Sequence, residues 1–182
     1  MSELKEYFRS YASHGKWANE LLYETIDQVS DEDYDRVLIP RIRSIHQMLN
    51  HVIIMDELWL GELRQDPPRT DIKSGNQILY EDRAEMREAR QRIDDELIAC
   101  IDALEGDYPT SVVQYEDQGF HWPIWLEFAH VFRHQIHHRG QIATMVCNLG
   151  FEPPKLDPMY TPPYLNQIPV LAQLSQVEAK SA

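Results

Sequence analysis

Hydrophobic positions recur along most of this chain at steps of three and four. Leu4, Phe8, Tyr11, Gly15, Ala18, Leu22, Ile26 and Val29 form the first such series and predict a long helix that stops near Ser30. Asp31–Arg43 then reads as a connector, because Pro40 bars helix through its centre. A second helix opens at Ser44, where Ser44-Ile45-His46-Gln47 fits a capping box. Ile45, Met48/Leu49, Val52, Met55/Asp56, Trp59 and Leu63 mark its buried stripe, and Gln65-Asp66-Pro67-Pro68 ends it. A third, highly charged helix is predicted from near Asn76 to about Leu104, with Leu79, Met86, Ile93, Leu97 and Ile101 on its apolar side. After the break at Gly106-Asp107-Tyr108-Pro109, the short β-branched stretch Ser111–Gly119 reads as a loop or brief hairpin. Pro123 suits the first turn of a fourth helix, whose face is Ile124, Phe128, Val131/Phe132, Ile136, Ile142/Ala143 and Val146. Asn148-Leu149-Gly150 stops it, with Gly150 placed as a left-handed cap residue.

Four long helices with one apolar face each predict an all-α, four-helix bundle over residues 1–160. From Phe151 onward the chain holds six of its eleven prolines, so a proline-rich strap is expected, with residues 161–182 as a tail on the bundle or extending from it. At 182 residues this is one domain, large enough to fold without a disulfide or a metal. Charge narrows the partners: 17 basic against 30 acidic side chains leave −13, which argues against nucleic-acid backbone or an anionic membrane surface. No run of about 18 apolar residues occurs, which excludes a membrane-spanning helix, and Met1 to Trp17 has no stretch of signal-peptide character. Cys100 and Cys147 have no paired spacing and read as small core hydrophobes of a reduced, cytoplasmic protein.

The chemistry-bearing feature is histidine. Four of the eight fall between His130 and His138, all on the fourth helix. Positions four apart on a helix differ by about 40° around the axis and about 6 Å along it, so two such imidazoles can converge on one ion. His130/His134 and His134/His138 both have that spacing, His134/His137 is an i,i+3 alternative, and spacing does not choose among them. A third ligand must come from another helix. His46, His51 and His14 are the candidates, and His51, at the edge of the apolar stripe between Met48 and Met55, is the best placed. Several imidazoles packed together in low dielectric need something to satisfy them, and a metal does so. His14 and His121 read as structural.

Rival chemistries lack their parts. A di-iron bundle needs two Glu-x-x-His motifs, and Glu127-Phe-Ala-His130 is the single one here. The His-Glu-x-x-His pattern is missing, since Gln135 follows His134, and there is neither a phosphate-cradling glycine loop nor a Gly-x-Ser-x-Gly elbow.

Ser44-Ile-His-Gln-Met-Leu-Asn-His51, Asp56-Glu-Leu-Trp-Leu60 and Arg133-His-Gln-Ile-His-His-Arg-Gly-Gln141 together resemble the DinB family, also described as DinB/YfiT-like. Tyr11…Trp17-Ala-Asn19 and Gly150-Phe-Glu-Pro-Pro154…Asp157 fit it too, so the resemblance runs from about Leu4 to Tyr160. It implies a four-helix bundle, commonly a homodimer, with a divalent metal held by His51, His134 and His138. His46, His130 and His137 then become neighbours. It further implies thiol-dependent transferases and related hydrolases or isomerases among the family's characterised branches.

Three neutral imidazoles leave coordination positions for water or substrate, and a His-only set suits Zn, Ni, Fe or Mn. The expected function is therefore metal-dependent thiol transfer or hydrolysis on a small molecule, with a low-molecular-weight thiol as one possible partner. The alternative is a non-catalytic protein in which the ion staples two helices. Of the neighbouring residues, Gln141 lies one turn beyond His138, Asp56 is expected to pair with Arg139 or to orient an imidazole, and Arg139 reads as an ion-pair partner.

Overall fold

The structure is a computed structural model that describes residues 3–38, 43–67, 69–105, 112–115 and 120–160. Four long helices carry the fold: α1 (Glu3–Ile26), α3 (Ile45–Arg64), α4 (Arg83–Asp102) and α5 (Ile124–Asn148). A one-turn helix, α2 (Asp31–Asp35), follows α1, and an antiparallel hairpin of β1 (Val112–Tyr115) and β2 (Phe120–Pro123) precedes α5. The last described element is a 3-10 turn, Pro158–Tyr160. The predicted tail over residues 161–182 lies outside the described residues.

α1 packs against α4 and α5, and α3 packs against the same two, so the four form a closed ring. Phe8, Leu22, Ile45, Ile53, Met86, Ile93, Phe128 and Ile142 are among the side chains buried inside it. Contacts of His51 with His138 and of Trp59 with His130 run in opposite chain directions, which makes α3 and α5 antiparallel.

Helix ends follow local chemistry. Ser44 Oγ accepts from the Gln47 N–H at 3.1 Å while Gln47 Oε1 accepts from the Ser44 N–H at 3.1 Å, which is the predicted capping box. Gly150 has φ +88°, and its N–H and that of Phe151 bond back to Cys147 and Val146, closing α5 in a Schellman motif. α3 ends in the same way with Gln65 at φ +58°, a conformation that costs a side-chain-bearing residue what it spares glycine.

Several sequence expectations are corrected. The connector after α1 contains α2, because the Ser30 hydroxyl caps it by accepting from the Asp33 N–H. The third helix starts at Arg83, not near Asn76. Buried Asn50 draws the preceding segment onto α3 in extended form, its Oδ1 accepting from the Leu79 and Tyr80 N–H groups at 2.8 and 2.9 Å, and Asp82 caps the helix instead. Ile136 is 48% exposed, and the inward position on α5 belongs to Gln135, at 2%. Cys147 is exposed, and Cys100 is half-buried against the core.

Gln135 belongs to a polar network in the bundle interior. Arg90 Nη1 donates to Asp56 Oδ2 at 2.6 Å, and Arg90 Nη2 lies 2.8 Å from Asp94 Oδ1. Gln135 donates to Asp56 Oδ2 at 2.8 Å, Asn19 donates to both oxygens of Asp94, and Arg139 donates to Asn19 Oδ1 at 3.2 Å. Asp56 thus pairs with Arg90 rather than with Arg139 or an imidazole, and Arg139 meets the amide of Asn19 rather than a carboxylate.

Candidate metal centre

Facing turns of α3 and α5 bring His51, His134 and His138 together. Ring centroids are 5.2 Å apart for His51/His134, 4.9 Å for His51/His138 and 4.3 Å for His134/His138. One nitrogen from each ring lies within 4.8 Å of the other two. The i,i+4 step on α5 supplies the pair, and the antiparallel crossing of α3 supplies the third.

Hydrogen bonds at the far side of two rings fix how they face inward. His51 Nδ1 lies 2.7 Å from the Gly75 carbonyl oxygen, which only accepts, so Nδ1 carries the proton and Nε2 keeps its lone pair. His138 Nδ1 lies 2.7 Å from Gln141 Oε1 and is a donor for the same reason. Each imidazole is thereby oriented from behind, the arrangement that metal-binding histidines generally require. Gly75 is confined in doing this: a Cβ there would meet Met55 Sδ at 3.1 Å and His51 Nδ1 at 3.6 Å.

The front of the cluster fits a small cation. His51 Nε2 and His134 Nε2 are 3.3 Å apart. Two nitrogens held tetrahedrally at 2.0–2.1 Å from one ion stand about 3.3–3.4 Å from each other. His134 Nδ1, on the other side of its ring from the Nε2 that faces His51, is buried with no hydrogen-bond partner, so this third ring lacks the bond from behind that the other two have. Burial also keeps the rings neutral, as ligands must be. It is the main cause lowering His134 to about 3, helped by His138 and His51, and His138 to about 4, against the pull of Gln141. His51 is lowered by burial too, against its bond to Gly75.

The other histidines separate cleanly from these three. His46 spends both nitrogens elsewhere, Nδ1 on Asp35 at 2.8 Å and Nε2 on the Tyr80 carbonyl at 2.9 Å. His130 packs edge-on against Trp59 at 4.6 Å, and Trp59 also meets His134 edge-on at 4.7 Å. His137 is exposed beside His138, and His14 is buried near Trp17. The side chain of His121 lies outside the described residues.

One supporting residue, Gly75, was not legible, nor was the nearness of Arg43, which bonds to the adjacent Asn76. Gly75 falls in a stretch without periodicity, where Ser74-Gly75-Asn76 is the single signal and marks a turn rather than a carbonyl aimed at an imidazole. Arg43 sits in the connector, directly before the cap residue. Gln141 was legible by its spacing from His138, and the structure gives it the bond that spacing allowed.

Comparison with known proteins agrees with this architecture. The crystal structure of a DinB-like protein from Bacillus subtilis superposes with a TM-score of 0.57 at 12% identity, covering 86% of this chain and 99% of that one. At that identity the likeness concerns the fold alone. No curated protein sequence matches the chain. No helix among the described residues is long and apolar enough to cross a membrane. The sequence model of the DinB family matches residues 1–165, which contain all four long helices and the hairpin, and the chain belongs to that family.

Proposed function

We propose that His51, His134 and His138 hold one divalent ion (Zn, Ni, Fe or Mn) and that the chain is a metal-dependent enzyme acting on a small molecule. The observation that carries this reading is the convergence of three neutral imidazoles, two of them oriented from behind by the Gly75 carbonyl and Gln141. With three protein ligands, positions remain for water or substrate, as in catalytic sites. The ion would supply the charge that favours deprotonation of a water or of a low-molecular-weight thiol, and so serves hydrolysis or thiol transfer. The protein's own part is positional. Gly75 and Gln141 fix the tautomers of His51 and His138, and Trp59 sets the plane of His134. Association of two copies, expected from the family resemblance, belongs to the same reading and is checked by sedimentation velocity.

Metal analysis by mass spectrometry on untagged protein tests the proposal. About one ion per chain is expected, lost in His51→Ala and in His138→Ala while helical content is kept. No metal after incubation with Zn, Ni, Fe and Mn overturns it. Burial of His138 and the packing of His134 on Trp59 support a second reading, an ion that only staples α3 to α5. A cobalt(II) spectrum unmoved by added thiol would favour that reading.

A further inference from the structure

The chain carries a net charge of −13, and its arginines are typically matched to carboxylates: Arg64 to Asp66 and Glu96, Arg92 to Glu57, Arg90 to Asp56. Arg43 is different. Among the described residues its guanidinium has no carboxylate within ion-pair distance, and its hydrogen bond goes to a neutral group, Asn76 Oδ1. That bond places it at the histidine cluster. Asn76 follows Gly75, the residue whose carbonyl orients His51 at 2.7 Å, and Arg43 itself precedes Ser44, the cap of the helix that carries His51. Because α3 and α5 are antiparallel, this end of α3 lies on the His138–Gln141 side of the cluster.

Among the described residues the hydrogen-bond partners of the three imidazoles are a backbone carbonyl, a side-chain amide and one another, and none is acidic. A divalent ion held there would add positive charge to an already cationic place. One guanidinium edge is used by Asn76, and the remaining N–H groups of Arg43 keep the planar geometry that carboxylates match. The missing negative partner is then the ligand itself.

We propose that the small molecule taken by this site carries a carboxylate, received by the free N–H groups of Arg43 while its reacting end meets the His51–His134–His138 face. This rests on the metal reading given above and names the substrate class for it: anionic, carboxylate-bearing and small.

The test uses the full chain loaded with cobalt(II), titrated with 3-mercaptopropionate and with 3-mercaptopropan-1-ol, which differ at the carboxylate alone. Sulfur-to-cobalt absorption reports binding without any assumption about turnover. The carboxylate probe should bind about tenfold more tightly in the wild type, the usual scale of one charge-assisted hydrogen bond. Arg43→Gln should abolish most of that preference with metal content and alcohol affinity unchanged, and Arg43→Lys should restore part of it. A preference that survives Arg43→Gln overturns the inference, as does an equal weakening of both probes or a loss of cobalt in Arg43→Gln, since Arg43 would then only clip the loop. Cobalt retained with no carboxylate preference, or with neither probe bound, overturns this inference alone. Failure of the wild type to retain cobalt or any of the four other metals overturns the metal reading and this inference together.

Discussion

Two buried polar clusters join α3 to α5, and they are built on opposite principles. In the bundle interior, Asp56 and Asp94 face Arg90, with Arg139, Asn19 and Gln135 completing the set. Arg90 pairs with both carboxylates, Arg139 stands beside them on the Asn19 amide, and the formal charge of the four closes to zero. A turn away, His51, His134 and His138 present ring nitrogens toward one another, with no acid bonded to them among the described residues. Burial pushes the Asp56 carboxyl up and the Arg139 guanidinium down to about 10, yet each remains among opposite charges that offset the loss of water. Among the described residues the imidazoles have no such counterpart in their hydrogen bonds. The interior cluster balances its charges, though Asp56 Oδ1 and Arg90 Nε go without a hydrogen bond, and is architecture; the histidine cluster turns ring nitrogens toward one another and has a place for something from outside.

The sharpest way to break the comparison is to unbalance the interior network. Arg90→Met strips the counter-charge from Asp56 and Asp94 together and should destabilise the fold by about 3–5 kcal/mol in urea unfolding. Its effect on metal content per folded chain should be nil, which separates the two clusters. If metal is lost from chains that remain folded, they are one unit. Next in size, saturating metal should stabilise the histidine cluster by about 2.7 kcal/mol at a hundred times Kd, read as a raised unfolding midpoint. His134→Ala should remove that increment.

Acid tests a third site, on the α1 side of the interior network. His14 is held neutral, near 4, mainly by burial and secondarily by Arg139. The unfolded chain takes up its proton near the ordinary value of about 6.5, so stability is full above that and falls as pH drops toward 4. A loss on the order of 2 kcal/mol from His14 across that window is expected in chemical denaturation, and His14→Gln should remove that share of the slope. The share of His134 and His138, which are lowered over the same range, should remain. Gln141→Leu removes the oxygen behind His138 and should weaken metal affinity about 10–100-fold in competition with a chelator, leaving the fold intact. The smallest effect is expected at Gln65→Gly, where relief of the left-handed backbone should add about 0.5–1 kcal/mol of stability and leave both clusters untouched.

How much of this could be read from the sequence depended on what each residue's neighbours are. The capping box at Ser44 and Gln47 and the stop at Gly150 are local chemistry, and both stand as read. The histidine triad was reachable through helical spacing joined to a family resemblance, because two of its members share one helix. The start of α4 was not, because the extended stretch before it is held by Asn50, some thirty residues earlier, in a contact with no local trace. Periodicity of apolar residues alone also misplaced the inner face of α5. Gln135 and Arg139 look like surface residues, and they are buried because Asp56 and Asn19 come from other helices to meet them. Arg43 illustrates the same limit, since its significance comes from Asn76 and Gly75, distant in sequence and adjacent in space.

Trp59 gives the molecule an optical property. Its indole stands edge-on to His134 at 4.7 Å and to His130 at 4.6 Å, so its excited state is in van der Waals reach of a candidate ligand ring. An open-shell ion such as nickel or iron at that ring offers the excited indole a non-radiative route, whereas closed-shell zinc does not. The emission lost on Trp59→Phe, measured with each ion in turn, therefore sorts metals by electronic configuration from inside the protein, without a label.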